Sequence, residues 1–197
     1  GGIVYSNFVT TVSPRYAYET QELGEGMGLE PTLYAHHMKY GGVVNGIDYD
    51  VWNPEVDDHI PVRFGVDELQ GKYENKRALR QRLMLADNDK PIVAFIGRLD
   101  PQKGLELVRH GIFNALERGA QFVLLGSSPD PAINEDFWGL KRMLNDSPDC
   151  HLEIGFDEDL AHFFPGRGFD RYFGGDFGSG ADGADAIQEL MMSVGRV

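Results

Sequence analysis

The clearest order in the chain lies between residues 91 and 162, where short apolar runs alternate with stretches of helical period. Pro91-Ile-Val-Ala-Phe-Ile96 is continuously apolar and of strand length, the pattern of a strand covered on both faces. Gly104–Arg118 carries Leu105, Val108, Ile112 and Leu116 along one stripe and stops at Gly119, which predicts an amphipathic helix with glycine just past its end. Gln121–Leu125 reads as a second buried strand, Asn134–Leu144 as a second helix and His151–Ile154 as a third, short strand. An order β-α-β-α-β at this spacing predicts a parallel sheet with helices packed on its faces.

This is the Rossmann-like arrangement, and the flanking sequence is less regular. Phe8–Val12 is a β-branched run followed by Ser13-Pro14, a helix start, so Pro14–Gln21 is expected to be a short helix. Leu23–Gly42 holds Gly24, Gly26, Gly28, Gly41 and Gly42 and reads as loop. Val43–Gly46 reads as a tiny strand ending in a turn dipeptide, and Ile47–Pro54 as an extended aromatic connector. Glu74–Leu85 is expected to be helical, with Leu79 and Leu83 on one face and Lys76, Arg77, Arg80 and Arg82 largely on others. From Phe163 the pattern fails, leaving only the helix-like stretch Asp185–Met192.

Composition sharpens this division. The chain has 197 residues and 25 glycines, of which eight fall in residues 1–46, eight in the last 35 residues and only nine in between. A hydrophobic content of 42% supports a core of ordinary size. The longest apolar runs, Ile92–Ile96 and Phe122–Leu125, fall far short of the ~20 residues that span a bilayer. A single cysteine, Cys150, makes no internal disulfide and follows Pro148-Asp149 with no lysine or arginine beside it to lower its pKa, so it reads as inert. The net charge of −13 argues against general nucleic-acid binding, which needs a basic face, so a bound phosphate would require a local basic cluster. The chain opens Gly1-Gly2-Ile3-Val4 with no basic-plus-apolar leader, and reads as a piece of something longer.

Ligands of open parallel sheets bind beyond the carboxyl ends of the strands. Two loops lie there: Gly97-Arg98-Leu99-Asp100-Pro101-Gln102-Lys103-Gly104, and Gly126-Ser127-Ser128-Pro129-Asp130-Pro131. The first sets Arg98 and Lys103 on a strand-to-helix turn, where two cations and the helix-terminal amides can face one anion, a diphosphate being the natural candidate. The alternative is an Arg98–Asp100 pair with Lys103 solvated. The order of residues is not that of a P-loop. In the second loop, Gly126 would let a ligand approach the backbone and Ser127 offers a hydroxyl, although plain turn chemistry explains both equally. His36-His37 lacks the spacing of a helical metal site, and Asp157-Glu158-Asp159 reads as an acidic first helical turn.

Five segments in order resemble the bacterial glycogen synthase and plant starch synthase family of retaining glycosyltransferases. They are Gly1–Tyr5 with Val9–Ala17, Val44–Pro54 (Val-Asn-Gly-Ile-Asp-Tyr-Asp-Val-Trp-Asn-Pro), Asn75–Leu79, the loop Gly97–Gly104, and Gly155–His162. Phe122–Pro129 is worded more like the plant and algal starch synthases, which would imply a plastid setting. The resemblance implies part of a glycosyltransferase-B fold: residues 1–44 ending an N-terminal, acceptor-side domain; 45–90 the crossover and first helix of the C-terminal domain; 91–162 the sugar-nucleotide portion; 163–197 an irregular tail. It implies transfer of glucose from ADP-glucose to the non-reducing end of an α-1,4-glucan, with no metal or other cofactor. It also implies that Arg98 and Lys103 stabilise the departing diphosphate, that Gly126 and Ser127 line the nucleotide pocket, and that Phe156 and Asp157 lie against the base and ribose. The leading reading is a fragment of a starch synthase; the alternatives are a glycogen synthase or another sugar-nucleotide glycosyltransferase, one using UDP-glucose included, or a non-catalytic glucan-associated protein.

The family's Lys-Thr-Gly-Gly-Leu loop is not in this chain, and its Glu-Pro-Cys-Gly-Leu-Thr-Gln motif does not follow His162. The chain alone is therefore expected to transfer no glucose. Resemblance and periodicity are lost together at Phe163, which suggests that residues 163–197 read through a shifted frame or unspliced sequence. Translation of the gene in the other two frames across that point should reveal a Glu-Pro-Cys-Gly-like segment, and its absence would overturn the idea.

Overall fold

The computed structural model describes residues 1–144 and 146–164. The Asp185–Met192 stretch and most of the irregular tail lie outside them. The chain divides into two compact units, Gly1–Tyr49 and Asp50–Val197.

In the first unit, α1 (Gly2–Tyr5) precedes β1 (Val9–Thr11), α2 (Pro14–Glu19), α3 (Glu30–Ala35) and β2 (Tyr40–Gly42). Helix α2 starts as expected: the Ser13 hydroxyl accepts from the Tyr16 amide at 3.1 Å with Pro14 at its first position. Two expectations are corrected. Residues 23–42 are not all loop, since α3 and a 3-10 turn at His37–Lys39 lie within them. The strand forms at Tyr40–Gly42, not at Val43–Gly46, and pairs in parallel with β1 through Val9–Tyr40, Thr10–Gly41 and Thr11–Gly42. Glycine permits this pairing, because a Cβ on Gly42 would lie 2.0 Å from the Ser13 carbonyl carbon.

The second unit contains α4 (Gln70–Arg82), β3 (Ile92–Ile96), α5 (Leu105–Glu117), β4 (Gln121–Gly126), α6 (Pro131–Leu144), β5 (Cys150–Ile154) and α7 (Glu158–Ala161). The strands form a parallel sheet in the order β3-β4-β5, with Ile96 opposite Leu125 and Gly126 opposite Ile154. The predicted β-α-β-α-β order is therefore present.

Burial is deepest in the central strand. Every residue of β4 is buried, whereas β3 is mostly half-buried, so the doubly covered strand is β4. Its side chains alternate between two clusters, as the pleat requires. Phe122 and Leu124 pack with Ile112 and Ala115 of α5, Phe137 and Leu140 of α6, and Leu99. Val123 and Leu125 pack with Leu79 of α4, Leu83, Leu85 and Leu160 of α7. No helix among the described residues is long and apolar enough to cross a membrane.

Arg80 departs from its expected place on the solvated side of α4, because it is only 5% exposed. Its Nε donates to Gln121 Oε1 at 2.8 Å and an Nη2–H to the Lys90 carbonyl at 2.7 Å. Gln121 in turn donates to the Ala86 carbonyl and to the Asp149 carboxylate, which also pairs with Lys90. This network satisfies the buried polar groups at the amino ends of the strands. Burial pushes the Asp149 carboxyl up, but the hydrogen bonds from Lys90 and Gln121 outweigh it and hold it below 3.8.

A Cβ at Gly126 would meet the Gly97 carbonyl oxygen at 2.2 Å, and backbone cannot swing aside as a side chain can. Gly126→Ala should therefore lower stability by about 1–3 kcal/mol in urea unfolding. Because the Asp149 pKa is depressed on folding, its contribution is present above the ordinary value of 3.8 and lost as pH falls through the lowered one. Acid titration of stability should be shallower in Asp149→Asn than in the unmodified chain.

Candidate functional site

The parallel ladder continues past the strands. The Gly97 amide donates to the Leu125 carbonyl at 3.0 Å, the Leu99 amide to the Ser127 carbonyl at 2.9 Å, and the Gly155 amide to the Gly126 carbonyl at 3.0 Å. The three loops leaving β3, β4 and β5 are thus joined edge to edge. Residues singled out from sequence in three separate segments, Arg98 with Lys103, Gly126 with Ser127, and Phe156 with Asp157, are brought to one edge of the sheet.

In the first loop, Leu99 is fully buried and pins the turn to the core beneath it. Asp100 caps the 3-10 turn Pro101–Lys103, its carboxylate accepting from the Gln102 amide at 2.9 Å. Gly104 then takes a left-handed conformation, φ 65° and ψ 54°, and opens α5. The first amides of a helix have no intrahelical acceptor, so this terminus attracts anions. Arg98 and Lys103 flank the turn and are exposed. Neither side chain has an ion-pair or hydrogen-bond partner among the described residues. The Arg98–Asp100 pair is accordingly not formed there.

Gly126 is occupied structurally, since the space of its missing side chain is filled by the Gly97 carbonyl. Ser127 is half-buried, with its backbone oxygen committed to Leu99. Phe156 is 85% exposed beyond β5. The Asp157 carboxylate caps α7 by accepting from the Leu160 amide at 2.8 Å. It also receives Arg82 Nη2 at 2.8 and 3.0 Å. Burial raises the Cys150 thiol to about 12, which accords with its reading as inert.

A cluster that the sequence reading passed over stands behind α7. His162 is wholly buried, with Nδ1 2.8 Å from Asp57 Oδ2. Its ring stacks on Trp52 at 4.1 Å between centroids and 8° between planes, and on His59 at 4.2 Å and 29°. His59 Nδ1 lies 2.6 Å from Asp159 Oδ1, and this hydrogen bond raises the imidazole pKa and lowers that of the carboxyl. Donor atoms of Asp57, His59 and His162 fall within 4.8 Å of one another. The two imidazoles lie face to face, however, so their in-plane lone pairs run side by side and do not converge on a point about 2 Å from each, as a metal ion would need. Asp57 and His162 stand beside or within segments quoted above, but a pairing across 105 positions leaves no periodic trace in one sequence.

The family model described as the starch synthase catalytic domain matches residues 1–35. A glycogen synthase of Methylococcus capsulatus is 74% identical over 162 residues, which is 82% of this chain and 33% of that protein. A glycogen synthase of Nitrosococcus oceani is 60% identical over the same shares. Among solved structures, the catalytic domain of starch synthase IV from Arabidopsis thaliana, bound to ADP and acarbose, superposes with a TM-score of 0.80. It is 47% identical and covers 83% of this chain and 34% of its own. The chain spans about a third of the length of these relatives. The matched part of this chain, with its parallel sheets and mixed α/β architecture, is thus a segment of the glycogen synthase and starch synthase family of glycosyltransferases.

Proposed function

We propose that the chain carries the donor half-site of an enzyme that transfers glucose from ADP-glucose to the non-reducing end of an α-1,4-glucan. The observation that carries this reading is the pair Arg98 and Lys103, exposed and without a partner among the described residues, on a turn that opens a helix at the carboxyl edge of the sheet. When the bond from the glucose anomeric carbon to the diphosphate breaks, the leaving oxygen gains negative charge. Two cations and the helix terminus stabilise that charge more than they stabilise the bound donor, which is the condition for accelerating the step. Side-chain cations fill this role, so no metal or other cofactor is assigned. Gly126, Ser127, Phe156 and Asp157 are proposed to border the nucleotide, Phe156 offering an exposed aromatic face.

The ADP and acarbose bound by the Arabidopsis enzyme support a nucleotide sugar and a glucan as partners. Glycogen is favoured over starch as the product class, because the chain is 74% identical to a bacterial glycogen synthase and 47% identical to the plant enzyme. The wording of Phe122–Pro129 carries less weight than that difference, and a plastid setting has no support from these bacterial relatives.

Titration calorimetry with ADP tests the assignment. Arg98→Ala should weaken binding about tenfold or more, as loss of a charge-assisted contact to phosphate implies. Equal binding by the variant and the unmodified chain would refute it.

A further inference from the structure

Helix α7 has four residues, too few to hold itself together. The loop before it carries Phe156 and Asp157. On one side this loop is fixed by the Gly155 amide on the Gly126 carbonyl. On the other side the chain is held by His162, the residue that caps α7 at its carboxyl end. From this geometry we infer that His162 is a positioning residue for the nucleotide-side loop: clamped between Trp52 and His59 and bonded to Asp57, it holds α7, and with it Phe156 and Asp157, at the edge of the sheet. The inference rests on the ADP site proposed above.

The clamp grips the turn twice. Asp57 takes the His162 ring at the end of α7, while His59 reaches Asp159 near its start. Asp57 also accepts from the His59 amide at 2.8 Å, so one buried carboxylate organises both imidazoles. The clamping segment is itself anchored, because Asn75 of α4 receives the Val62 amide and donates to the Val62 carbonyl. Arg82 of the same helix holds Asp157. Segment 52–62, α4 and α7 thus form a closed triangle with Asp157 at one corner.

The chemistry of the position is specific to imidazole. Phenylalanine would keep the stack on Trp52 but leave the buried Asp57 carboxylate without the ring proton. Asparagine would keep a donor but lose the stack. His162 Nε2 has no hydrogen-bond partner among the described residues, an unfavourable state for a buried nitrogen. Among the described residues the ring is engaged through its other nitrogen and its two faces.

The test uses the 197-residue chain and ADP. His162→Phe is expected to raise the ADP Kd at least fivefold at a temperature where circular dichroism shows the variant folded. Asp57→Asn offers one amide oxygen to the two donors that the carboxylate now takes, the His162 ring and the His59 amide, and should raise the Kd in the same direction. Should His162→Phe fail to fold, His59→Ala, at a ring that is 41% exposed, serves in its place with an expected rise of about threefold. A folded His162→Phe, or in its absence His59→Ala, that binds ADP as the unmodified chain does would overturn the positioning role. An unmodified chain that does not bind ADP, or binds equally with Arg98→Ala, would instead refute the underlying site, and the positioning role with it.

Discussion

In a parallel sheet every strand ends on the same side, and here that geometric rule is extended by hydrogen bonds running past the last strand residues into the loops. The bonds from Gly97, Leu99 and Gly155 place Arg98, Ser127 and Phe156 as neighbours, although they come from three separate crossovers. The arrangement depends on β4, the strand buried along its whole length, whose alternating side chains join one core under α5 and α6 to another under α4 and α7. Without Gly126 at its end, the first loop could not lie down against it.

Charge is distributed in a way that composition conceals. A chain of net charge −13 keeps two cations uncommitted, among its described residues, at the one edge where a helix terminus also favours anions. Other cations are taken up by structure. Arg80 and Lys90 satisfy the buried groups at the amino ends of the strands, and Arg82 holds Asp157. The two ends of the same short sheet thus use basic residues differently: one to neutralise what is buried, the other leaving charge available.

The strands and the helices of the second unit were legible because each buries a face, and burial leaves a period in the sequence. Ile112 and Leu124 are examples. Arg80 was not legible, since an arginine on a helix reads as solvated unless its acceptor, here Gln121, is known to stand opposite. The first unit was harder to read. Its glycines suggested loop, but Gly42 serves close packing against Ser13 within a paired strand. The loop of Arg98 and Lys103 could be found from residue order alone, yet whether Arg98 paired with Asp100 depended on side-chain geometry. The cluster of Trp52, Asp57, His59 and His162 is invisible to local pattern because its members meet only after the chain has folded.

The backbone bonds that fasten the three loops to one another have a consequence for recognition. Loops tied into the sheet have already given up most of their conformational freedom when the protein folds, so a ligand arriving at this edge meets a surface that is already set. Ordering is charged to folding and not to association, and the affinity of such a surface reflects its contacts with little subtracted for arranging them.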